Sequence, residues 1–313
     1  MAGIALVFPG QGAQAVGMGR DLFERDPAAR AVFVEADRAL GYALTDLCLS
    51  GPTAALQATE NAQPAILTVS VAALEALRRT LGPAFQPMVA AGHSLGEYSA
   101  LVAAGALAFA DALRLVRERG RLMQAAGEAA PGSMVAVLGL DEARLQGICR
   151  EVEPLGVVVV ANHNAPGQLV LSGEVRAVEE AARLARAAGA RRTVPLAVSG
   201  AFHSPLMASA ARDFRAAVDR APVADAGFPV VANTSAALMM QAGDIREELR
   251  RQLVAPVRWA DSVRTMRGLG AELFVEVGPG TVLSGLVRRT VEGARCVAAG
   301  DLAGVSQVRE AVG

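Results

Sequence analysis

The sequence contains no lysine, and all 30 of its Lys and Arg residues are arginine. This absence excludes a Schiff-base lysine, a covalently held pyridoxal phosphate and a complete Walker A loop. Cysteine is also rare: the three present, Cys48, Cys149 and Cys296, are far apart and form no C-x-x-C pair. A disulfide framework or a zinc site is therefore not expected, and a reducing cytoplasm fits this cysteine usage.

Long hydrophobic runs and an excess of charge are lacking as well. The first residues, "MAGIALVFPGQG", have no basic region before a short apolar run, which argues against a signal peptide. The run "SALVAAGALAFA" is too short to span a membrane and follows Glu97. A formal net charge of −1 gives no electrostatic reason to expect nucleic acid or an anionic membrane as a partner. We therefore expect a cytoplasmic protein that binds neither.

Aromatic residues make up only 4% of a chain that is 52% hydrophobic, so alanine, valine and leucine should dominate its core. Continuous apolar segments alternate with segments of helical periodicity, which is typical of a mostly parallel sheet covered on both faces. The apolar segments predict strands at 3–8 and 87–92. The periodic segments predict helices at 27–40, 63–82, 95–105 and 111–126, the last interrupted by Gly120.

A different order of elements begins near residue 130. The predicted order is β-α-β-β-α-β, the arrangement of a small ferredoxin-like module, with elements at 133–139, 141–153, 156–162, 168–173, 174–189 and 191–197. "EAAPGS" and "VSGAFHSP" are the expected hinges, after which the first pattern resumes. The sequence therefore predicts an α/β fold in which a large domain, 1–128 with 199–313, carries an inserted subdomain at 129–198.

The segment "VAAGHSLGEYSALVAAGAL", residues 89–107, places Ser94 between two glycines where a strand is expected to become a helix. G-x-S-x-G in this context is a nucleophile elbow, a tight turn that lifts a serine hydroxyl above the edge of a sheet. The N–H of Leu95, at the helix N-terminus, can stabilise the oxyanion of an attacked carbonyl. Ser94 is the candidate nucleophile, with a chance match among 32 glycines as the rival explanation.

A serine nucleophile needs a base, and the chain has three histidines. The tight turn should point His93 away from Ser94, which favours a structural role. His163 lies in the expected hairpin of the small module and is a second candidate. His203 lies in "SGAFHSPLM", where the inserted module returns to the core, and is by elimination the best candidate for general base. No acidic residue follows at an obvious triad position, so a backbone carbonyl could orient its ring.

The glycine-rich loop "FPGQGAQA", directly after the first strand, has two interpretations. Its G-x-G-x-x-A pattern matches a loose dinucleotide fingerprint. Glu35 and Asp37 stand near the spacing of the required acidic residue, yet they lie in a helix-like segment, and no clear second strand precedes about residue 87. The alternative is that the loop brings the backbone N–H of Gln11 beside Ser94 as a second oxyanion donor.

Seven motifs occur in the order and at roughly the spacing of one family: "FPGQGAQ", "GHSLGEYSALVAAGAL", "RLVRERGRLMQ", "NHNAPGQLVLSG", "GAFHSPLM", "RRQLVAPVRW" and "VEVGPG". By these motifs the chain, from about residue 4 to 290, resembles the malonyl-CoA–acyl carrier protein transacylases, an acyltransferase family of fatty-acid and polyketide synthesis. The resemblance implies an α/β-hydrolase-like large domain with a parallel sheet and an inserted ferredoxin-like subdomain.

The resemblance also implies catalytic roles for individual residues. It implies Ser94 as the nucleophile and His203 as the base, with the main-chain N–H groups of Gln11 and Leu95 as oxyanion donors. Gln252, in "RRQL", matches the residue whose main-chain carbonyl orients the histidine. No metal is implied.

Substrate-binding positions follow from the same resemblance. Arg119 matches the family's arginine, and a buried guanidinium selects acyl groups that end in a carboxylate, because a neutral acyl group leaves it unpaired. Phe202 would narrow the pocket against an α-methyl branch, and Asn162 and Gln63 match further pocket positions. The residues alone do not separate Arg119 from the other arginines of its helix, Arg114, Arg117 and Arg121.

The implied activity is malonyl transfer from malonyl-CoA to the phosphopantetheine thiol of acyl carrier protein, by a ping-pong mechanism through a malonyl-serine, for fatty-acid synthesis. It needs no tightly bound cofactor, since malonyl-CoA is a substrate and the partner carries the phosphopantetheine. Because carrier proteins are acidic, a basic rim is expected, with Arg191 and Arg192 or Arg288 and Arg289 as candidates. Alternatives are a malonyl transferase serving a polyketide carrier protein, a serine esterase or thioesterase, a nucleotide-binding oxidoreductase and an interaction module without activity.

Overall fold

The computed structural model describes residues 3–312 and all of their side chains except that of Ala84. The strands are β1 Gly3–Phe8, β2 Val89–Gly92, β3 Gly132–Leu138, β4 Val158–Ala165, β5 Gln168–Glu174, β6 Arg192–Pro195, β7 Val230–Val231, β8 Leu238–Met239, β9 Ala271–Glu276 and β10 Arg295–Ala298. The helices are α1 Arg20–Arg25, α2 Pro27–Leu40, α3 Leu44–Ser50, α4 Thr53–Gln57, α5 Thr59–Leu81, α6 Gly96–Ala103, α7 Phe109–Ala129, α8 Glu142–Val152, α9 Val175–Ala187, α10 Ala208–Arg220, α11 Ala242–Arg251, α12 Trp259–Gly268, α13 Val282–Thr290 and α14 Leu302–Val312.

The larger sheet has six strands in the order β10-β9-β1-β2-β7-β8, and each neighbouring pair is parallel except β7 with β8. Side chains of β1 alternate between two apolar clusters: Leu6 and Phe8 enter one, and Ala5 and Val7 enter the other. Both clusters are buried because helices cover both faces, which explains why this strand is apolar at consecutive positions. The predicted parallel sheet is confirmed.

Parallel pairing decides where the loops of this sheet meet. The carboxyl ends of β1, β2, β7 and β9 lie at one edge, so the loops that follow these strands converge there. Those loops carry the glycine-rich segment after Phe8, the predicted elbow after Gly92 and a polar segment after Val231. Topology thus brings together residues that are far apart in the chain.

The smaller sheet is antiparallel, with the strand order β4-β5-β3-β6. Helices α8 and α9 pack on it around a third apolar cluster of the molecule. This is the predicted β-α-β-β-α-β order, and the α/β fold class is confirmed. The smaller sheet is joined to the rest through β4, where Val257 N donates to Ala161 O at 2.9 Å and His163 N donates to Val257 O at 2.9 Å. The division at 129–198 stays a prediction.

Two expectations about the helices were wrong. Helix α7 is not interrupted at Gly120 but runs unbroken from Phe109 to Ala129. Gly120 serves a packing purpose instead: a Cβ there would lie 2.7 Å from Thr59 O and 2.7 Å from Glu60 Cα, so glycine lets α7 and α5 approach closely. The long helix α5 begins at Thr59 rather than at 63, with Pro64 inside its second turn.

The structure also contains elements that the sequence patterns did not predict. These elements are α1, α3, α4, α10, α13, α14, β8 and β10. Four of them, α1, α3, α4 and β8, are too short to show a helical or strand period, so periodicity cannot reveal those four. Over residues 3–312, no helix combines the length and the apolar character needed to cross a bilayer.

Replacing Gly120 with alanine should destabilise the protein by about 1–3 kcal/mol, because the new methyl group meets backbone atoms that cannot move aside cheaply. Gly147 in α8 is the matched control, since a Cβ there meets only the end of the Arg150 side chain, at 4.0 Å. Gly147→Ala should stabilise the protein by about 0.5–1 kcal/mol through helix propensity. Urea unfolding of both variants checks the opposite signs, and a Gly120→Ala protein as stable as wild type would contradict the packing argument.

Candidate active site

Ser94 lies in a sharp turn between β2 and α6, with a backbone φ of 51°. A Cβ on Gly92 would lie 1.8 Å from the carbonyl carbon of Gly96, and one on Gly96 would lie 2.0 Å from Phe8 O. No larger residue fits at either position, so the turn requires both glycines. The serine takes a left-handed conformation that residues other than glycine seldom adopt, which is the strained geometry of a nucleophile elbow.

The ring of His203 contacts the serine directly. His203 Nε2 is 2.7 Å from Ser94 Oγ, and Nδ1 is 3.0 Å from Gln252 O and 3.1 Å from Ala255 O. Both oxygens near Nδ1 are carbonyl acceptors, so the neutral ring carries its proton on Nδ1 and presents the lone pair of Nε2 to the serine hydroxyl. Main-chain carbonyls thus orient the ring.

The surroundings of His203 keep it uncharged. Its side chain is 4% exposed, and this burial, together with the charge of Arg119, lowers the pKa of His203 from 6.5 to about 3, against the opposing effect of its bonds to the carbonyls. Burial also lowers the pKa of the neighbouring His93. At neutral pH the ring of His203 is therefore a free base.

Arg119 is 1% exposed and reaches the same serine from helix α7. Its Nη2 donates to Ser94 Oγ at 3.1 Å and to Gln252 Oε1 at 3.0 Å, and its Nη1 donates to Gln63 Oε1 at 2.9 Å. Within residues 3–312 its Nε has no hydrogen-bond partner, and none of the ion pairs includes it. The site therefore contains a buried cation without a carboxylate partner.

The other arginines of this helix differ from Arg119 in their surroundings. Arg114 and Arg121 are largely exposed and pair with Asp111 and Glu118 one turn away. Arg117 pairs with Glu60 and is partly exposed. These three side chains are neutralised at the surface, so Arg119 alone of the four faces the serine.

A cavity of about 280 Å³ opens in front of Ser94, between the two sheets. Arg119, Phe202 and Asn162 line it, as expected from the sequence, and so does the loop around Gln11. Gln63 does not line the cavity: it is fully buried behind Arg119 and accepts a hydrogen bond from it. The expectation that Gln63 is a pocket residue is therefore corrected, because its amide positions the guanidinium instead.

The two expected oxyanion donors belong to the elbow and to the loop that lines the same cavity. Leu95 follows it directly and is 1% exposed, and Gln11 lies in the loop after β1. A Cβ on Gly10 would lie 2.3 Å from His93 O, so this glycine lets the loop rest against the elbow. Neither the Leu95 N–H nor the Gln11 N–H has a hydrogen-bond acceptor within residues 3–312, so both are free for an oxyanion.

The remaining histidines have other partners. His93 Nε2 is 2.8 Å from Asn164 Oδ1, and its ring packs against Trp259, so it ties the elbow to the smaller sheet. His163 Nδ1 is 3.0 Å from Glu142 Oε2, and its side chain is 12% exposed. Neither ring hydrogen-bonds to Ser94, so the structure brings only His203 to the nucleophile.

The dinucleotide interpretation of the N-terminal loop does not fit the structure. Glu35 and Asp37 lie within helix α2, and Asp37 accepts a hydrogen bond from Thr45 N at 2.8 Å. The loop itself lines the cavity before Ser94. Within the described part of the chain, no group of three or more His, Cys, Asp or Glu side chains is arranged to hold a metal ion.

The motif "VEVGPG" supports one wall of the cavity. The buried carboxylate of Glu276 accepts hydrogen bonds from Leu283 N at 3.0 Å and Ser284 N at 2.7 Å, at the start of α13. Leu283 and Leu286 of that helix line the cavity. The carboxylate therefore caps the helix N-terminus and fixes the position of the wall.

Comparisons with known proteins agree with this site. The acyl transferase domain family matches residues 5–309. A malonyl CoA-acyl carrier protein transacylase of Bacillus subtilis (strain 168) is 46% identical over 302 residues, which is 96% of this chain and 94% of that protein. The chain belongs to the malonyl-CoA–acyl carrier protein transacylase family.

Solved structures of the family superpose closely. An acyl-carrier-protein S-malonyltransferase of Bartonella henselae is 40% identical, with a TM-score of 0.95 over 99% of each chain. A malonyl-transacylase in complex with the acyl-carrier protein of a type II polyketide synthase is 41% identical, with a TM-score of 0.95 over 99% of this chain and 100% of that one. The resemblance inferred from seven motifs is confirmed.

Sequence reasoning missed signals that the structure makes plain. Ala112, Val116, Arg119 and Met123 recur at helical spacing and are all buried, so Arg119 lies on the apolar face of its helix. That periodicity could have distinguished it from the other three arginines. Asn233, which accepts a hydrogen bond from Ser94 N at 2.7 Å, follows β7 at the edge where the loops converge.

The lowered pKa of His203 predicts how stability depends on pH. Its unfolded-state pKa of 6.5 exceeds its folded-state value of about 3, so below 6.5 the unfolded chain binds a proton that the folded protein does not. The stability that the neutral His203 ring contributes is present above pH 6.5 and is lost as the pH falls towards 3. The unfolding free energy should therefore decrease less steeply with falling pH in His203→Asn than in wild type. The difference between the two slopes should reach up to about 1.4 kcal/mol per pH unit.

Urea unfolding of wild type and His203→Asn between pH 7 and about 4 measures this slope. Asparagine is the suitable replacement, because it tolerates the φ of 56° at this position. Equal slopes in the two proteins would contradict a buried neutral ring.

Proposed function

We propose that this protein transfers the malonyl group of malonyl-CoA to the phosphopantetheine thiol of an acyl carrier protein through a malonyl ester on Ser94. One observation carries the proposal: the nucleophile oxygen that is 2.7 Å from the His203 base is also 3.1 Å from a buried guanidinium without a carboxylate partner. A serine and a histidine alone would suit many acyl groups. The arginine restricts the site to acyl groups that carry a carboxylate.

In the first half-reaction, Ser94 Oγ attacks the thioester carbonyl while His203 Nε2 takes the hydroxyl proton. The C–S bond then breaks, and the CoA thiolate leaves with the proton from His203. The free N–H groups of Leu95 and Gln11 stabilise the oxyanion, each by about 10²–10³ in rate by comparison with similar sites. In the second half-reaction, the phosphopantetheine thiol gives its proton to His203 and its sulfur attacks the ester carbonyl. The bond between that carbon and Ser94 Oγ then breaks, and Oγ takes the proton back from His203.

The length of the malonyl group fits the distance between the two side chains. A single methylene separates its thioester carbonyl from its carboxylate, so an ester on Ser94 Oγ brings the carboxylate to Arg119 Nη2 and the unoccupied Nε. An acetyl group would leave the guanidinium buried and unpaired, which is unfavourable. Phe202 lines the same cavity, and its ring restricts an α-methyl branch.

Substrate binding also strengthens the base. In the free protein, the positive charge of Arg119 is one cause of the low pKa of His203. A carboxylate bound to Arg119 offsets that charge, so the pKa of His203 rises when malonyl is present. The arginine therefore favours malonyl in the chemical step as well as in binding.

We propose that the product is used in fatty-acid synthesis, since the names of this protein's relatives refer to acyl carrier protein. A polyketide carrier protein is the second candidate, favoured by the related transacylase seen in complex with one. No resident cofactor is required, because CoA and phosphopantetheine arrive with the substrates. Both substrates are cytoplasmic molecules, which supports a cytoplasmic location.

The carrier protein is proposed to dock on a basic surface formed by Arg191, Arg192 and Arg289. These exposed side chains surround one surface cavity. Arg289 Nη1 donates to Gln168 Oε1 at 2.6 Å, and Gln168 also lines the cavity before Ser94. The basic surface therefore adjoins the mouth of the active site, where an acidic carrier would deliver its thiol.

Arg119→Ala should lower malonyl transfer to Ser94 by about 10²-fold or more, since two hydrogen bonds to charged groups contribute about 1.5–3 kcal/mol each. Acetyl transfer should gain relative to malonyl transfer, because no unpaired guanidinium remains. Mass spectrometry of the acyl-enzyme after mixing with each CoA thioester measures both, and Ser94→Ala gives the blank. Arg121→Ala, which removes an exposed arginine of the same helix, is the control. An unchanged malonyl preference in Arg119→Ala would contradict the proposal.

Replacing Arg191, Arg192 and Arg289 together with alanine should lower transfer to acyl carrier protein about tenfold relative to transfer to free pantetheine, at low salt. The reference acceptor carries the same thiol without a protein, so the ratio isolates docking. Salt should reduce the difference, because it screens exposed charges. Arg183→Ala, an exposed arginine paired with Glu180, is the control. Equal losses with both acceptors would contradict docking on this surface.

A further inference from the structure

A buried carboxylate with no part in the chemistry above lies beneath the nucleophile. Glu97 is in the first turn of α6, three residues after Ser94, and is fully buried. Its carboxylate accepts hydrogen bonds from Asn233 N at 2.8 Å, from Asn233 Nδ2 at 3.0 Å and from Gln252 Nε2. Within residues 3–312 it forms no ion pair with an arginine. Among the described residues, its hydrogen-bond partners are all amide N–H groups.

The first of these amides holds the backbone of the elbow. Asn233 Oδ1 accepts from Ser94 N at 2.7 Å, and Asn233 Nδ2 donates to Gly92 O at 2.7 Å. Only one orientation of the amide serves both contacts, with oxygen towards the Ser94 N–H and nitrogen towards Glu97 and Gly92 O. An acceptor at Glu97 therefore reinforces the orientation that the Ser94 N–H and Gly92 O require.

The second amide connects Glu97 to the rest of the catalytic group. Gln252 Nε2 donates to Glu97 Oε2 and to Ser94 O, the latter at 3.1 Å, and Gln252 Oε1 accepts from Arg119 Nη2 at 3.0 Å. Its main-chain carbonyl accepts from His203 Nδ1. If this amide turned over, its NH₂ group would face the Arg119 NH₂ group, donor against donor. The carboxylate thus keeps the oxygen of the Gln252 amide, and not its NH₂ group, directed at Arg119.

The ionised form of Glu97 is the one that suits these contacts. Burial, and after it the charge of Glu248, raise the pKa of Glu97 well above its usual value, against the opposing effect of the N–H groups of Asn233 and Gln252. A proton on Oε1 would point at one of the two Asn233 donors, and a proton on Oε2 would compete with the Gln252 NH₂ group for that oxygen. The negative charge in turn favours the buried cation of Arg119.

We propose that Glu97 is a positioning residue that balances the charge of Arg119 through the Gln252 amide without occupying the guanidinium. A carboxylate in direct contact with Arg119 would compete with the substrate for the same donors. An anion one amide away stabilises the cation and leaves Nη2 and Nε for malonyl. This inference rests on the proposed function, because it explains how the selective arginine stays available.

Glu97→Gln tests the proposal, because it removes the charge and places a donor against Asn233 or Gln252. We expect the malonyl-to-acetyl preference in acylation of Ser94 to fall at least about tenfold, with a higher KM for malonyl-CoA, since one hydrogen bond to a charged group is misdirected. Asp26→Asn is the matched control. It removes another buried carboxylate, one that accepts from Ala28 N and Ala29 N and contacts neither amide. An unchanged preference in Glu97→Gln would overturn the proposal, and so would an equal fall in both variants.

A second variant separates positioning from simple packing. In Glu97→Gln combined with Gln252→Glu, the amide at 97 again has an acceptor, but the carboxylate now lies directly against Arg119. The proposal predicts recovered stability without recovered malonyl preference, whereas recovery of both would overturn it. Should neither variant fold, a neutron structure of the wild type decides: deuterium on Glu97, or a Gln252 amide turned over, overturns the proposal. A wild type with no malonyl preference would instead refute the proposed function.

Discussion

The structure depends on one arrangement, a buried guanidinium held against a nucleophile. Removing Arg119 from water is unfavourable, and no carboxylate of the described chain compensates it directly. Three neutral acceptors, Gln63 Oε1, Gln252 Oε1 and Ser94 Oγ, share its N–H groups instead. Neutral acceptors hold the side chain in place and still leave its charge to be neutralised by a ligand. The preference for a dicarboxylic acyl group follows from this incomplete pairing.

The fold supplies the rigidity that such an arrangement needs. Gly92 and Gly96 allow the turn because no Cβ fits at either of these two positions. Gly120 lets the helix that carries Arg119 approach α5. Main-chain carbonyls rather than a carboxylate orient His203, so the base stays neutral and its orienting groups place no carboxylate in contact with the arginine. The positive charge of Arg119 and the neutral base thus converge on the serine oxygen, and the free N–H groups remain for the substrate oxyanion.

Local signals in the sequence predicted the parts of the site that depend on local geometry. The elbow could be inferred because glycines flank Ser94 where a strand becomes a helix, and the smaller module because its elements follow one another in order. Contacts across the chain could not be inferred in the same way. The role of Gln63 behind Arg119 was mistaken for a pocket position, and the unbroken helix at Gly120 was missed, because both depend on how α5 packs against α7.

A crystal structure of the protein trapped as its malonyl ester tests the central claim most directly, because it shows where each charge lies. We expect an ester on Ser94 Oγ whose carboxylate receives two hydrogen bonds from Arg119 and whose carbonyl oxygen lies within hydrogen-bonding distance of the Leu95 and Gln11 N–H groups. A malonyl carboxylate that points to solvent, or an Arg119 still bonded to Ser94 Oγ in the ester, would contradict the account.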